Sequence, residues 1–231
     1  MRFTTGGIEL RRINCAVFGT SRSGKDYMIS DAIAQLKEKG MEFTHLSPIT
    51  MVHDELDGRK LRDMPVEEKE ELVRSVRNSI QDQTEEGCYF VDEHYCFPTY
   101  YGGRVLQDGY NDEKLPYTLG FDEERNQYEI VFQPGWITNY NVAIYMDIDP
   151  EIILGRFRTS EGCKCNTDVT LDDIYCWKNF EIGQIQDLCH KADIPLFYVY
   201  GPEKSGKELA GILSFYNKRY VKNNKNTQED N

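Results

Sequence analysis

The stretch from Ile13 to Ile33 constrains the fold of this chain more than any other part of the sequence. It begins with a short apolar run, continues through a loop bounded by two glycines, and ends in a segment with the apolar spacing of an amphipathic helix. The loop has the pattern G-x-x-x-x-G-K between a predicted strand and a predicted helix, which is the context in which this pattern binds phosphate. The residues expected to hold a nucleotide are Gly19, Thr20, Ser21, Arg22, Ser23, Gly24, Lys25 and Asp26.

The chemistry expected of this loop depends on its backbone and on Lys25. Glycine lets the backbone turn tightly and bring its N–H groups close to a ligand. Those groups, together with a helix N-terminus, favour a polyphosphate. The Lys25 ammonium is expected to reach the β- and γ-phosphates as a point charge. The alternative is an ordinary glycine turn followed by a surface lysine.

The residue after the lysine is Asp26, where Ser or Thr is usual and supplies a hydroxyl ligand to Mg²⁺. A carboxylate is also a hard oxygen ligand for Mg²⁺, whereas beside a metal-free triphosphate its charge would be repulsive. We therefore expect a strictly Mg²⁺-dependent site. The alternative is that Asp26 only caps the helix that follows it.

A second candidate site follows the apolar run that starts at Cys88. Four mostly apolar residues lead into Asp92, Glu93 and His94. An acid at the carboxyl end of a buried parallel strand is where a phosphate-loop protein carries its metal-associated carboxylate, and ligands of open α/β sheets gather at that edge. Asp92 is therefore predicted to join Asp26 at Mg²⁺. The alternative is a strand followed by a polar turn.

Length and charge restrict the class of protein. The 231 residues are enough for one large α/β domain, or for a core with an insertion. The net charge of −12 argues against an extended nucleic-acid surface, which needs a basic field. No run approaches the roughly 18 apolar residues of a membrane span, and the first residues do not resemble a signal peptide. We therefore expect a cytoplasmic protein with neither nucleic acid nor membrane as partner.

The seven cysteines are odd in number and are not spaced like a disulfide framework. Cys163 and Cys165 form a C-x-C within a polar loop, where zinc is conceivable. Structural zinc sites more often have two C-x-x-C arms, so the sequence favours no zinc site.

Two segments are candidates for binding an acceptor substrate. Residues 50–86 are charged and have helical periodicity, which fits either a solvated helical hairpin or an acceptor arm that presents Arg59 and Arg62. Residues 95–138 form a long insertion rich in Tyr, Gly and Pro, with a predicted hairpin. Its aromatic side chains and Arg104 fit a pocket wall, a small satellite core or a homodimer surface equally well.

The second half of the chain continues the alternation of strands and helices. A buried strand ends at Asp147 and precedes a helix that carries Arg156 and Arg158. Residues 156–170 are the expected lid, 1–222 the expected single domain and 223–231 an expected disordered tail. A second G-x-x-x-x-G-K begins at Gly201, but no later strand remains to supply an acid. We therefore expect a loop and helix start there, beside the nucleotide base.

The variant G-x-x-x-x-G-K-D resembles the loop of phage deoxynucleoside monophosphate kinases and of animal phosphomevalonate kinase. The order of predicted elements is similar to that of the nucleoside-monophosphate-kinase group. Within that group the chain most resembles archaeal-type adenylate kinase. This resemblance rests on the phosphate loop, the D-E-H strand end, the R-x-x-R-D-M-P of the arm and the later R-x-R. The resemblance covers most of the chain outside residues 95–138. It implies a three-layer α/β P-loop kinase fold, with a five-stranded parallel sheet in the order 2-3-1-4-5.

The resemblance also implies roles for individual residues. Lys25 and the loop amides would hold the donor phosphates of ATP. Arg156 and Arg158 would neutralise the phosphoryl group in transit, and Asp92 and His94 would lie on the acceptor side. The insertion departs from the family pattern and leaves the acceptor open.

Phosphoryl transfer needs positioning and charge neutralisation more than covalent help from the protein. The sequence therefore predicts an ATP- and Mg²⁺-dependent kinase of a nucleotide, nucleoside or other small phosphate acceptor. A regulatory NTPase and a nucleotide-binding module without turnover are the alternatives.

Overall fold

A computed structural model of the chain describes residues 4–5, 8–9, 12–59, 64–85, 87–98, 100–101, 104–105, 128–159, 169–201 and 205–229. The strands are β1 (Thr4–Thr5), β2 (Ile8–Glu9), β3 (Asn14–Phe18), β4 (Thr44–Leu46), β5 (Tyr89–Asp92), β6 (Cys96–Pro98), β7 (Tyr100–Tyr101), β8 (Arg104–Val105), β9 (Tyr128–Ile130), β10 (Val142–Asp147) and β11 (Leu196–Tyr200). The helices are α1 (Lys25–Glu38), α2 (Pro48–Glu55), α3 (Val66–Thr84), α4 (Pro150–Thr159), α5 (Leu171–Lys191) and α6 (Ser205–Glu229), with a 3-10 helix at Pro134–Asn139.

Five parallel strands form the central sheet, in the order β11-β10-β3-β5-β4. Numbered along the chain and read from the β4 edge, this order is 2-3-1-4-5, so the predicted topology is confirmed. β3 is the central strand, and four of its five side chains are fully buried. Strands covered on both faces read as continuous apolar runs, which is why Cys15–Phe18 and Val142–Met146 were recognisable in the sequence.

Helices cover the sheet and complete the predicted P-loop kinase fold. α1 packs against α6, and α4 packs against α5. α5 begins with a capping box in which Thr170 and Asp173 exchange hydrogen bonds. Its Trp177 is fully buried and donates from Nε1 to the Cys96 carbonyl at 3.2 Å. This contact fixes the start of the insertion against the core.

A helical arm and an inserted hairpin are both present, as the sequence predicts. The arm consists of α2 and α3, which pack against each other, and α3 begins after Pro65 as expected. In the insertion, β6 pairs antiparallel with β9, and β7 pairs with β8. Tyr128 stacks on Phe180 at 4.5 Å between ring centroids. Phe132 of the insertion instead packs on Phe18 of the central strand, and both Tyr128 and Phe132 belong to the same buried core as the sheet residues.

The structure differs from the sequence prediction at the C-terminus. Residues 223–231 were expected to be a disordered tail, whereas α6 continues to Glu229. Neither Gly nor Pro occurs between Ile212 and Glu229, so the sequence has no stop signal for the helix. In the part of the chain that is described, every helix is too short or too polar to cross a bilayer.

Candidate active site

The Gly19–Lys25 loop joins the carboxyl end of β3 to the N-terminus of α1. Gly19 has φ of 152°, and Gly24 has φ of 92° in the left-handed region. A Cβ atom on Gly19 would lie 3.1 Å from the Met146 Cβ, so the neighbouring strand approaches too closely for a side chain. Both glycines of the motif thus have a backbone conformation that other residues rarely adopt, and at Gly19 the available space is also tight.

Lys25 is the first residue of α1, and its side chain folds back over the loop. Nζ donates to the Gly19 carbonyl oxygen at 2.7 Å, lies 3.3 Å from His94 Nε2 and lies 3.5 Å from Asp92 Oδ1. Lys25 is only 5% exposed, so the alternative of a surface lysine is wrong. The ammonium lies at the carboxyl edge of the sheet, where Asp92 and His94 follow β5.

Asp92 and His94 have pKa values altered by this environment. Burial, opposed by the Lys25 charge and reinforced by the Asp26 carboxyl, raises the pKa of Asp92 to about 6. Burial, reinforced by the Lys25 charge, lowers the pKa of His94 well below its usual range. His94 is therefore neutral near pH 7, and its Nε2 can accept a hydrogen bond from Lys25.

The residues suited to a metal ion are Asp26, Asp92 and His45. One ligand atom from each lies within 4.8 Å of the others. Among the described residues, the buried Asp92 Oδ1 accepts no hydrogen bond, which fits a cation ligand. Sequence reasoning missed His45, although its position near the carboxyl end of β4 is the same signal that identified Asp92 on β5. Burial lowers the pKa of His45, and the Asp26 charge offsets only part of this shift.

The two arginines predicted for the lid behave differently. Arg156 on α4 donates from Nη1 to the backbone carbonyls of Arg22 and Ser23, at 2.9 and 2.5 Å. Arg158 is exposed and does not line the cavity beside the loop. Most of the expected lid, together with Cys163 and Cys165, lies outside the described residues.

The residues predicted to bind an acceptor are not all brought to the site. Arg59 forms an ion pair with Glu68 at 2.5 Å and is not among the cavity residues. Arg62 lies outside the described residues, and of Arg104 only the backbone, in β8, is described. Of the two predicted acceptor residues whose side chains are described, Arg59 and His94, only His94 lines the cavity.

A cavity of about 650 Å³ opens over the loop, which makes room for a nucleotide-sized ligand. Tyr27 and Ile49 lie on its wall, together with Met146 and Thr159. Ser205, from the second G-x-x-x-x-G-K, is also a wall residue and begins α6. That motif is thus a helix start beside the site, as predicted.

Beneath the site lies a buried ionic network that has no local signal in the sequence. Arg77 on α3 donates to both carboxylate oxygens of Glu93, and the Tyr140 hydroxyl also donates to Glu93. Arg77 lies 4.0 Å from the centroid of the Trp136 ring. Glu93 is 1% exposed, so the D-E-H sequence divides between an acid facing the cavity and an acid facing the core.

Glu181 on α5 is a second buried acid that the sequence did not indicate. It is fully buried and accepts hydrogen bonds from the Tyr95 backbone N–H at 3.2 Å and from the Tyr145 hydroxyl at 3.0 Å. Burial raises the pKa of Glu181 to about 7, although Lys25 and these donors act against the shift.

Two solved structures are similar to this chain over most of their length. A shikimate kinase from Bacteroides thetaiotaomicron is 10% identical with a TM-score of 0.48, over 87% of this chain and 98% of that one. A shikimate kinase from Acinetobacter baumannii in complex with shikimate is 12% identical with a TM-score of 0.49, over 90% and 94%. No protein-family model and no curated protein matches this sequence. Likeness at this level carries no information on activity or substrate, so the fold assignment rests on the strand order of the chain itself.

Proposed function

We propose that this protein is a Mg²⁺-dependent kinase that transfers a phosphoryl group from ATP to a nucleotide, a nucleoside or another small phosphate acceptor. The proposal rests on the convergence of three side chains: Asp92 and His94 both lie within 3.5 Å of the Lys25 ammonium. All three line a cavity that is also lined by the glycine loop. A cation, an acid and loop amides in one cavity are what phosphoryl transfer requires.

Each residue of the site has a proposed task. The loop amides and Lys25 bind the donor phosphates. Arg156, which already contacts the loop, neutralises charge that develops during transfer. Asp26 and Asp92 would hold Mg²⁺, which when bound screens the phosphate charges. His94 lies on the acceptor side, and its neutral imidazole orients the acceptor.

The acceptor arm has a more limited proposed role. Arg59 is engaged by Glu68 on the same arm, so it is committed to a surface ion pair and not to the cavity. The resemblance to archaeal-type adenylate kinase therefore stays a prediction, and the acceptor is proposed only as a class. The cytoplasmic location and the absence of nucleic acid and membrane partners likewise stay predictions.

A coupled ADP-release assay over a panel of nucleoside monophosphates, nucleosides and other small phosphate acceptors tests the proposal. Release that depends on one acceptor class supports a kinase, acceptor-independent release identifies an NTPase, and no release identifies a binding module. Lys25→Met should abolish the acceptor-dependent rate. Lys39→Met, at the exposed C-terminal end of the same helix, is the matched control and should retain it.

A further inference from the structure

His45 lies beside Asp26 and Asp92, the proposed Mg²⁺ ligands, and has no role in the proposed phosphoryl transfer. β4 runs parallel to β5, and His45 is paired in register with Phe90. Asp92 follows two residues after Phe90, and side chains two residues apart on a strand share a face. The sheet itself therefore brings the imidazole and the Asp92 carboxylate to the same side, next to Asp26 at the start of α1.

The potential ligand atoms of Asp26, His45 and Asp92 lie close together. His45 Nε2 is 3.9 Å from Asp26 Oδ1, and the three ligand atoms lie within 4.8 Å of one another. Asp92 is 8% exposed. Its Oδ1 and His45 Nε2 are both buried, and within the described part of the chain neither makes a hydrogen bond, although Lys25 Nζ is 3.5 Å from the former. Buried polar atoms are rarely left unsatisfied, and one cation bound between these two atoms would satisfy both.

The group can close around one ion with little rearrangement. Atoms that coordinate a small divalent ion at about 2.1 Å lie about 3 Å apart when they are neighbours in its shell. The Asp26 side chain is 81% exposed, so its carboxylate can turn towards the other two ligands without disturbing buried packing. His45 and Asp92 are held by adjacent strands and supply the fixed part of the site.

The ligand types indicate which ion is bound. Mg²⁺ takes oxygen ligands and is bound reluctantly by nitrogen, whereas imidazole suits first-row transition ions. We propose that Asp26, His45 and Asp92 form a mixed nitrogen and oxygen site that binds a divalent first-row transition ion more tightly than Mg²⁺, and does so without nucleotide. This rests on the proposed function for the expectation that the same ion also meets the donor phosphates.

Titration of the nucleotide-free protein with Mn²⁺, followed by the electron paramagnetic resonance signal of free Mn²⁺, tests the proposal. We expect one ion per chain, displaced only by a roughly hundredfold higher concentration of Mg²⁺. His45→Leu should weaken Mn²⁺ binding about tenfold or more. His190→Leu, on the exposed end of α5, is the matched control and should not change it. Equal Mn²⁺ affinity in wild type and His45→Leu would overturn the proposal.

A second measurement uses only the wild-type protein, so it does not depend on whether a variant folds. Electron-spin-echo modulation of the Mn²⁺-loaded wild-type protein should show coupling to a directly bound imidazole nitrogen. Absence of that coupling, or absence of Mn²⁺ binding without nucleotide, also overturns the proposal. Because no nucleotide is present, failure here leaves the ADP-release result standing. Failure of the kinase assay would in turn leave the Mn²⁺ site unaffected.

Discussion

A Cβ atom on Gly24 would lie 2.9 Å from Nη1 of Arg156, because the guanidinium occupies the space beside the glycine. From there Arg156 donates to two loop carbonyls, those of Arg22 and Ser23. The second glycine of the motif thus serves two purposes: it adopts a left-handed conformation, and it admits the arginine that braces the loop from α4.

Gly24→Ala should therefore destabilise the loop, mainly because alanine is strained at a φ of 92° and secondarily because the Arg156 guanidinium must shift from its place. We expect a loss of about 1–3 kcal/mol in the free energy of unfolding, together with weaker ATP binding. Gly183→Ala is the control, because Gly183 is an exposed helical residue with open space around its Cβ position. That variant should gain about 0.5–1 kcal/mol. Chemical denaturation measures both values, and an unchanged Gly24→Ala protein would contradict the strain argument.

Arg156→Ala should lower kcat on the order of 10²-fold, the scale of one electrostatic stabiliser, with a smaller change in KM for ATP. Arg158→Ala should lower kcat less, because the Arg158 side chain is exposed and does not reach the loop. Steady-state kinetics of both variants check this. An equal loss at the two positions would mean that lid closure brings Arg158 to the phosphates.

Glu93→Ala should cost about 3–5 kcal/mol in the free energy of unfolding, because it leaves the Arg77 charge in a buried site without its carboxylate. Glu68→Ala is the matched control, since it removes the partner of Arg59 from an exposed pair. Its cost should be below about 1 kcal/mol. Urea denaturation measures the loss in the free energy of unfolding for both variants. Similar losses would show that the Arg77–Glu93 pair contributes no more to stability than an exposed ion pair.

Glu181 should make the stability of the protein fall as pH rises from about 4.5 to about 7. Its pKa is about 7 in the folded protein against an ordinary value of 4.5, so the folded state binds more protons in this window. The stabilising effect is complete below the window and lost above it, on the order of 3 kcal/mol. Glu181→Gln should remove the part of the slope that Glu181 contributes. Asp92, with a raised pKa, is common to both proteins, so the difference between their stability curves isolates Glu181; identical curves would refute the shift.

The parts of this protein that could be predicted from sequence are those with a local signal. The loop from Gly19 to Lys25 is recognisable because its chemistry requires fixed spacing, and Asp92 because it ends a continuous apolar run. The strand order was implied only by the resemblance to the nucleoside-monophosphate-kinase group. The same local reasoning predicted a loop and helix start at the second G-x-x-x-x-G-K, where α6 begins at Ser205.

The remainder depends on contacts between distant segments. Nothing near Glu93 or Glu181 in the sequence separates them from surface acids, because their burial is created by Arg77, Tyr140 and Tyr145 from other elements. Arg59 was predicted to face an acceptor, yet an acid nine residues later binds it. The charged helix α3 carries two arginines, Arg74 and Arg77. Only the contacts that Arg77 makes with Glu93 and with Trp136 of the 3-10 helix distinguish it.

Isotope tracing tests the central claim most directly. ATP labelled with ¹⁸O on its γ-phosphoryl oxygens is incubated with the protein, a divalent cation and the acceptor panel, and the products are analysed by mass spectrometry. The account predicts that the labelled phosphoryl group appears on one acceptor class, and that Lys25→Met removes this product while Lys39→Met does not. Label found only in inorganic phosphate, or remaining in ATP with every acceptor, would contradict the assignment as a kinase.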